Sequence, residues 1–419
     1  MLASALLALV TGATPTLPWI HDDWADAKKK AIAAKKLVAV DVWATWCHTC
    51  LSMKNYTLEE KPLAGVAGTH VWLSLDYDRE KNAGFFGTFP VAAFPTFLVV
   101  DPATEQVVAR WVGSGTADQM AQFFAAAKVD AQDPLHLGAR ALATGDAVKA
   151  RAIYEAALGK EGVDQTRVYN GLLEALSKID PKLCAQTGLA AIEKTNDTAP
   201  GIDAVLIAAD CASELDDAKL KAQVQAAARA RLERASTDQL AVDDQSGLYA
   251  SLADLYDQAG DTKKGDATTE KRLAVLEKAA AAAKTPLARA TFDPHRTECY
   301  IRLKKYAEAE AMLTASQKAL PKDYNPPARL ALVYRAQGDT KKGLEAINHA
   351  LGIGYGPRKV RLHSTKIDIL IDAKRFDEAK KAIAAARADI AKIDPKLVRA
   401  GWSKGLDAQA AKIDQKPAS

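Results

Sequence analysis

The chain has 419 residues, enough for two or three domains rather than one core. Its 56 Lys and Arg against 52 Asp and Glu leave a net charge of +4, and no basic stripe with interleaved aromatics stands out, which argues against a nucleic-acid surface. Hydrophobic residues make up 48% and charged residues 26%, an ordinary globular balance, and no stretch reaches the length of a membrane span.

Residues 1–16 are read as a candidate signal segment. Met1–Val10 is apolar and Thr11–Pro15 is small and polar, although no basic start precedes them. The expectation is export to a periplasmic or other extracytoplasmic space, or a cytoplasmic chain if the segment is not a signal. Asp23–Ala34 reads as a helix, with Trp24, Ala27, Ala31 and Ala34 at helical spacing. Leu37–Trp43 is a β-branched run typical of a buried central strand. Cys47-His48-Thr49-Cys50 follows at once and should open the next helix. His70–Leu75 is a second buried strand. Phe97–Val100 pairs as a hairpin with Gln106–Trp111 around Asp101-Pro102, and Thr116 with Gln119 forms a capping box for a helix to about residue 127. The order β-α-β-α-β-β-α over residues 17–128 is a small α/β sheet with helices on its faces.

At Asp133-Pro134 the character changes. Residues 134–392 show no strand pattern, only alanine-rich helices in pairs. The segment Gly260–Gly265 (GDTKKG) recurs as Gly338–Gly343, and Lys305-Tyr306 and Arg375-Phe376 occupy the same slot. The small residues Ala309, Gly343 and Ala379 are 34 and 36 positions apart. This region resembles the tetratricopeptide family, most closely over 293–391 and least over 166–235. Seven helix pairs are expected, a fold whose stacked units present a groove to a protein partner. Residues 393–419 are read as a helix end and a polar tail, loosely ordered from about 405.

The five cysteines are Cys47, Cys50, Cys184, Cys211 and Cys299. One CxxC with three scattered cysteines is neither a disulfide-dense scaffold nor a two-CxxC zinc ribbon, so no metal is expected. Cys184 and Cys211 are candidates either for a structural disulfide or for two buried thiols.

The run Trp43-Ala44-Thr45-Trp46-Cys47-His48-Thr49-Cys50 after a buried strand resembles the thioredoxin superfamily. Phe94-Pro95-Thr96 matches the family's cis-proline loop, and Asp41, six residues before Cys47, matches its buried acid. The stretch from Cys50 to Leu58 is also similar, in part, to the C-terminal domain of transmembrane thiol–disulfide interchange proteins, except that Leu51 stands where those carry a lysine. The resemblance implies thiol–disulfide exchange with no organic cofactor, only a redox-active Cys47–Cys50 pair, electrons passing to or from another thiol. Physical chemistry supports the roles. A cysteine at a helix N-terminus faces unpaired N–H groups and the positive end of the dipole, which lowers a thiol pKa from about 8.5 to about 3.5–7. Cys47 is thus the expected nucleophile and Cys50 the resolving thiol, three residues on and on the same face.

Asp41 is the candidate proton acceptor for Cys50 if it lies inside the sheet, and a bystander if it faces solvent. The lysine that pairs with this acid in thioredoxins is replaced by Trp72 or Ser74. Trp46 is either a flat wall beside Cys47 or core. The resemblance makes Phe94 and Pro95 substrate-binding residues, Phe94 through its backbone. His48 is either a tuning group for the thiolate or a solvated neighbour, so the direction of electron flow stays open. The rival reading is a repeat-based scaffold or assembly protein with an inactive α/β module.

Overall fold

The computed structural model describes residues 17–127, 133–398 and 400–414; the candidate signal segment lies outside them. The first half holds β1 (Trp19–His21), α1 (Trp24–Ala34), β2 (Leu37–Trp43), α2 (His48–Asn55), α3 (Lys61–Ala64), β3 (His70–Asp76), α4 (Ala83–Thr88), β4 (Thr96–Asp101), β5 (Gln106–Val112) and α5 (Ala117–Ala126). The sheet order is β1-β3-β2-β4-β5. Strands β1 and β2 run parallel to β3, while β4 is antiparallel to both β2 and β5.

Strand β2 is central because Val38–Val42 are buried without interruption, as two covered faces require. Alternation sends Val38 and Val40 to a core with Leu73, Leu98 and Phe86, and Ala39 to one with Met53, Trp72, Phe97 and Phe124. Asp41 shares the face of Ala39, the one that α2 covers. The edge strand β1 adds an element to the order expected from sequence. Three residues are too few for a period-2 pattern to show; Trp19 is held there by register with Trp72 and a T-shaped contact between their rings.

From Pro134 onward every element among the described residues is helical. Seven pairs run in succession: α6 (Pro134–Ala143) and α7 (Ala147–Ala157), α8 (Gln165–Ile179) and α9 (Pro181–Lys194), α10 (Ala199–Ser213) and α11 (Ala218–Glu233), and α12 (Val242–Gln258) and α13 (Thr262–Ala282). After a short α14 (Pro286–Ala290) come α15 (Asp293–Arg302) and α16 (Tyr306–Ala319), α17 (Asn325–Gln337) and α18 (Thr340–Ile353), and α19 (Arg358–Asp372) and α20 (Phe376–Ile390). The recurring GDTKKG has a local cause. Gly260 and Gly338 take φ of +80° and +78° to end one helix, and Asp261 and Asp339 cap the next by accepting the N–H of Lys264 and Lys342. The small-residue slots let helices approach. Ala309 and Ala379 are fully buried, and a Cβ added at Gly343 would make only ordinary contacts with Ile369.

The polar tail expected from about 405 is instead helix through Asp414, α21 (Ala400–Asp414). Leu406 and Ile413 are buried with Ile367 and Leu370, and Gln409 donates to the Ser364 carbonyl and Asp368. Two apolar residues seven apart in a polar stretch suffice, because α19 and α20 already offer a face to cover. Cys184 and Cys211 form a disulfide joining α9 and α10, and Cys299 is a buried free thiol.

One feature of the repeats positions the site. Asp243, His295, Asn325 and Arg358 all lie in the first turn of the first helix of successive pairs (α12, α15, α17 and α19), so the repeat sets them along one edge of the solenoid. That edge faces the N-terminal end of α2.

Candidate redox site

Cys47 is the N-cap of α2 and its Sγ accepts the Cys50 N–H at 3.1 Å. The two cysteines are bonded to each other, and both are buried, Cys47 retaining 6% exposure and Cys50 none. Phe94–Pro95 is a cis peptide bond at the start of β4, and the Phe94 ring meets the edge of Trp46 at 5.5 Å. The structure therefore brings Trp46, Cys47, Cys50, Phe94 and Pro95 together as the sequence motifs suggested.

Behind Cys50, Asp41 is buried at 1% exposure and does not face solvent. Register pairs it with Ser74, so Ser74 rather than Trp72 occupies the position across the strand. The cation comes from elsewhere: Lys54 of α2 places its Nζ 3.1 Å from Asp41 Oδ2 and donates to Ser74 Oγ at 2.6 Å. Its ammonium also lies 4.1 Å from the Trp43 ring, an attraction to the π face that helps hold it there. The cation beside Asp41 thus sits on a helix and not on the neighbouring strand. The available signal was that Lys54 stands four residues after Cys50 on the same helix face. Lys54 borders an apolar cavity of about 700 Å³ between the two halves, lined also by Trp19, Leu58, Leu320 and Tyr355.

In front of the cysteines the helical half closes over the site. Tyr324 and Thr45 share a hydrogen bond at 2.8 Å, and Asn325 Nδ2 donates to the Thr45 carbonyl at 3.1 Å. Trp46 is half-buried; its indole N–H donates to Asp78 at 2.8 Å and the Arg358 guanidinium lies over its ring at 4.8 Å. Trp46 is thus a wall of the site shared with the solenoid. Burial lowers the Arg358 pKa to about 10, its guanidinium being poorly solvated there.

His48 is not a solvated neighbour. Its Nδ1 lies 2.9 Å from Asp243 Oδ1 and its Nε2 lies 2.9 Å from His295 Nε2. Thr49 donates to the other Asp243 oxygen at 2.5 Å. Burial would raise the Asp243 pKa, but the His48 and His295 imidazoles and the bonds from His48 and Thr49 outweigh it and hold the carboxyl well below the usual range. His295 is lowered well below an ordinary imidazole, first by burial and then by His48. A cavity of about 370 Å³ adjoins this group, with Asp203 and Asp244 on its wall. Burial pushes both up to about 7, and Ser114 donates to Asp244.

Nothing in the sequence marked Asp243 or His295, which lie 195 and 247 residues from His48. Ligand atoms of His48, Asp243 and His295 fall within 4.8 Å of one another, a set able to hold a metal ion that sequence spacing did not suggest. The two imidazole rings are tilted by 57° with centroids 3.8 Å apart, and their Nε2 atoms lie 2.9 Å from each other.

A thioredoxin-type sheet with a cis-proline beside a CxxC at a helix N-terminus, followed by a tetratricopeptide-like solenoid, defines the class. The thioredoxin family model matches residues 22–126. Thioredoxin H-type 2 of Nicotiana tabacum is 31% identical over 93 residues, 22% of this chain and 73% of that protein, and through this segment the chain belongs to the thioredoxin family. The thiol:disulfide interchange protein DsbD of Colwellia psychrerythraea is 30% identical over 79 residues, 18% of this chain; the chain spans only 13% of that relative's length. Among solved structures, a tetratricopeptide repeat protein from Parabacteroides merdae aligns with 68% of this chain and 98% of its own at 13% identity and a TM-score of 0.43. A thermophilic tetratricopeptide protein of Thermus thermophilus aligns with 48% of this chain and 97% of its own, at 20% identity and a TM-score of 0.31.

Proposed function

We propose that the chain is a protein thiol–disulfide oxidoreductase whose helical repeats recruit the protein partner. Cys47 attacks a partner disulfide, forming a mixed disulfide and releasing one partner thiolate. Cys50 then attacks Cys47 Sγ, restoring the internal disulfide and releasing the reduced partner. The observation that carries this reading is the Cys47–Cys50 pair bonded at the N-terminus of α2, with Cys47 Sγ accepting a helix N–H. That donor favours the thiolate by the same physics that lowers helix-terminal thiol pKa values. Asp41, with Lys54 beside it, is the acceptor for the Cys50 proton. Trp46, Phe94 and Pro95 form the wall on which the partner strand lies. Export belongs to the same reading; the Cys184–Cys211 disulfide in the solenoid supports it, since such bonds persist in oxidising compartments.

Catalysed reduction of insulin by a small dithiol tests it. Turnover is expected with the full chain and none above background with Cys47→Ala. A chain that only displays partners would give the two the same rate.

A further inference from the structure

A further cavity, of about 340 Å³, opens between α19, α21 and the loop after β3, and Trp46, Asp78, Arg358, Arg361, Ser364 and Trp402 line it. One side chain joins it to the redox pair. Trp46 packs with Phe94 against the cluster of Ala44, Cys47 and Cys50, and it carries the Arg358 guanidinium over its ring. The backbone fixes Arg358 in this place. Gly356, at φ +58°, passes close enough to the Asp78 carbonyl that a Cβ would overlap it, which holds the start of α19 against the α/β domain.

The charges on this wall do not balance. Arg358 Nε is buried and has no hydrogen-bond partner. Among the described residues no carboxylate forms an ion pair with this guanidinium or with that of Arg361, which borders the same cavity. Burial is the main cause that lowers the Arg358 pKa, and the like charges of Arg329 and Arg361 add to it, against Tyr324 and Asp78. Arg329 is answered by Asp293 and Asp323. Asp78, the carboxylate on the cavity wall, already accepts the Trp46 indole N–H. Ser364 Oγ accepts from Gln409 Nε2 at 3.0 Å, which leaves its hydroxyl hydrogen for an acceptor in the cavity. A buried guanidinium donor left unpaired is destabilising, because its hydration is lost and nothing replaces it. A carboxylate would replace it, since its two oxygens match the planar fork of an arginine.

We propose that this cavity binds an acidic side chain of the partner protein, an aspartate or glutamate close in sequence to the disulfide that Cys47 attacks. This rests on the thiol–disulfide reading and names the substrate class of that site. Arg358 takes the carboxylate, Ser364 donates to it, and Arg361 adds attraction at the mouth. A peptide is favoured over a small anion for two reasons. The cavity holds more than a lone carboxylate needs, and Trp46, Trp402 and Leu406 give it apolar surface for the residues that flank the acid. A partner strand on the wall of Trp46, Phe94 and Pro95 would also pass directly beside Arg358.

The test uses disulfide-linked peptide pairs with one cysteine in each peptide, reduced by the full chain with a small dithiol as electron source. A single glutamate is walked along the residues on either side of the cysteine. At its best position glutamate should raise kcat/KM about tenfold over glutamine, the scale of one charge-assisted pair. Added salt should shrink that preference. In Arg358→Gln the ratio should fall close to one, and in Arg358→Glu it should reverse in favour of lysine. The ratio is the readout because lost packing over Trp46 slows every peptide alike. A glutamate preference that survives Arg358→Gln, or none at any position with the wild-type chain, would overturn the proposal. So would a preference for oxidised glutathione over its ethyl ester, removed by Arg358→Gln, with no effect of peptide glutamates; the cavity would then serve a small thiol. A wild-type chain that reduces none of the peptides sinks the exchange reading and this proposal with it, an outcome distinct from the others.

Discussion

The two ends of α2 meet ionisable groups of contrasting origin. Behind Cys50, Asp41, Ser74 and Lys54 come from β2, β3 and α2, within 33 residues of one another, and the ion pair depends on the α/β domain alone. In front, His48 and Thr49 meet Asp243 and His295, which arrive from the solenoid and exist at the site only while the two halves are docked. The α/β domain thus keeps a self-contained ion pair behind Cys50, while the environment of His48 is supplied by another domain. The helical half and the surroundings of Cys47 are for that reason physically linked, through one row of helix N-termini.

The largest effect that separates the two ends is kinetic. Asp41→Asn or Lys54→Met should slow resolution of a mixed disulfide by about 10²-fold, the scale of a lost general base, while the first attack by Cys47 keeps its rate. Stopped-flow measurement of the two steps checks this. Equal slowing of both would mean the rear pair is structural.

Stability against pH comes next, and here the front wall divides within itself. Asp203 and Asp244, raised to about 7, keep protons in the folded chain that the unfolded chain releases near pH 4. The folded state therefore binds more protons in that window, and stability falls as pH rises from about 4 to about 7. Asp243, lowered instead, contributes stability that is present above about pH 4 and lost as pH falls further. Asp203→Asn should recover roughly 2 kcal/mol at pH 8 and little at pH 4, less than the full 1.36 kcal/mol per unit because the carboxyl faces a cavity. Denaturant unfolding at the two pH values checks it, and an equal change at both would contradict the assignment.

The smallest effect concerns docking alone. Tyr324→Phe removes one hydrogen bond between the halves, to Thr45, and should cost about 1 kcal/mol with the Asp41 end unaffected. Hydrogen exchange of α2 amides against those of β2 would show the loss confined to the former.

This division also explains what could be read from the sequence. Strand β2, the cysteine motif, Phe94-Pro95 and the repeat slots follow local rules of burial, capping and spacing, and each lies in the structure where those rules put it. Strand β1 escaped because three residues carry no period, and α21 because its two apolar anchors make sense only against α19 and α20. Lys54 is legible in principle from its spacing after Cys50, but the thioredoxin resemblance points to a partner of Asp41 on β3. The front cluster was not legible at all. Asp243 and His295 are an acid and an imidazole near helix starts, where both types are common, and only the stacking of repeats carries them to His48.

The most direct test of the exchange mechanism is capture of the mixed disulfide on the full chain. With Cys50→Ala, a protein disulfide substrate should remain covalently attached to Cys47, releasable by dithiothreitol and absent with Cys47→Ala. Attachment through Cys50 in a Cys47→Ala chain, with none in Cys50→Ala, would contradict the assignment of Cys47 as the nucleophile.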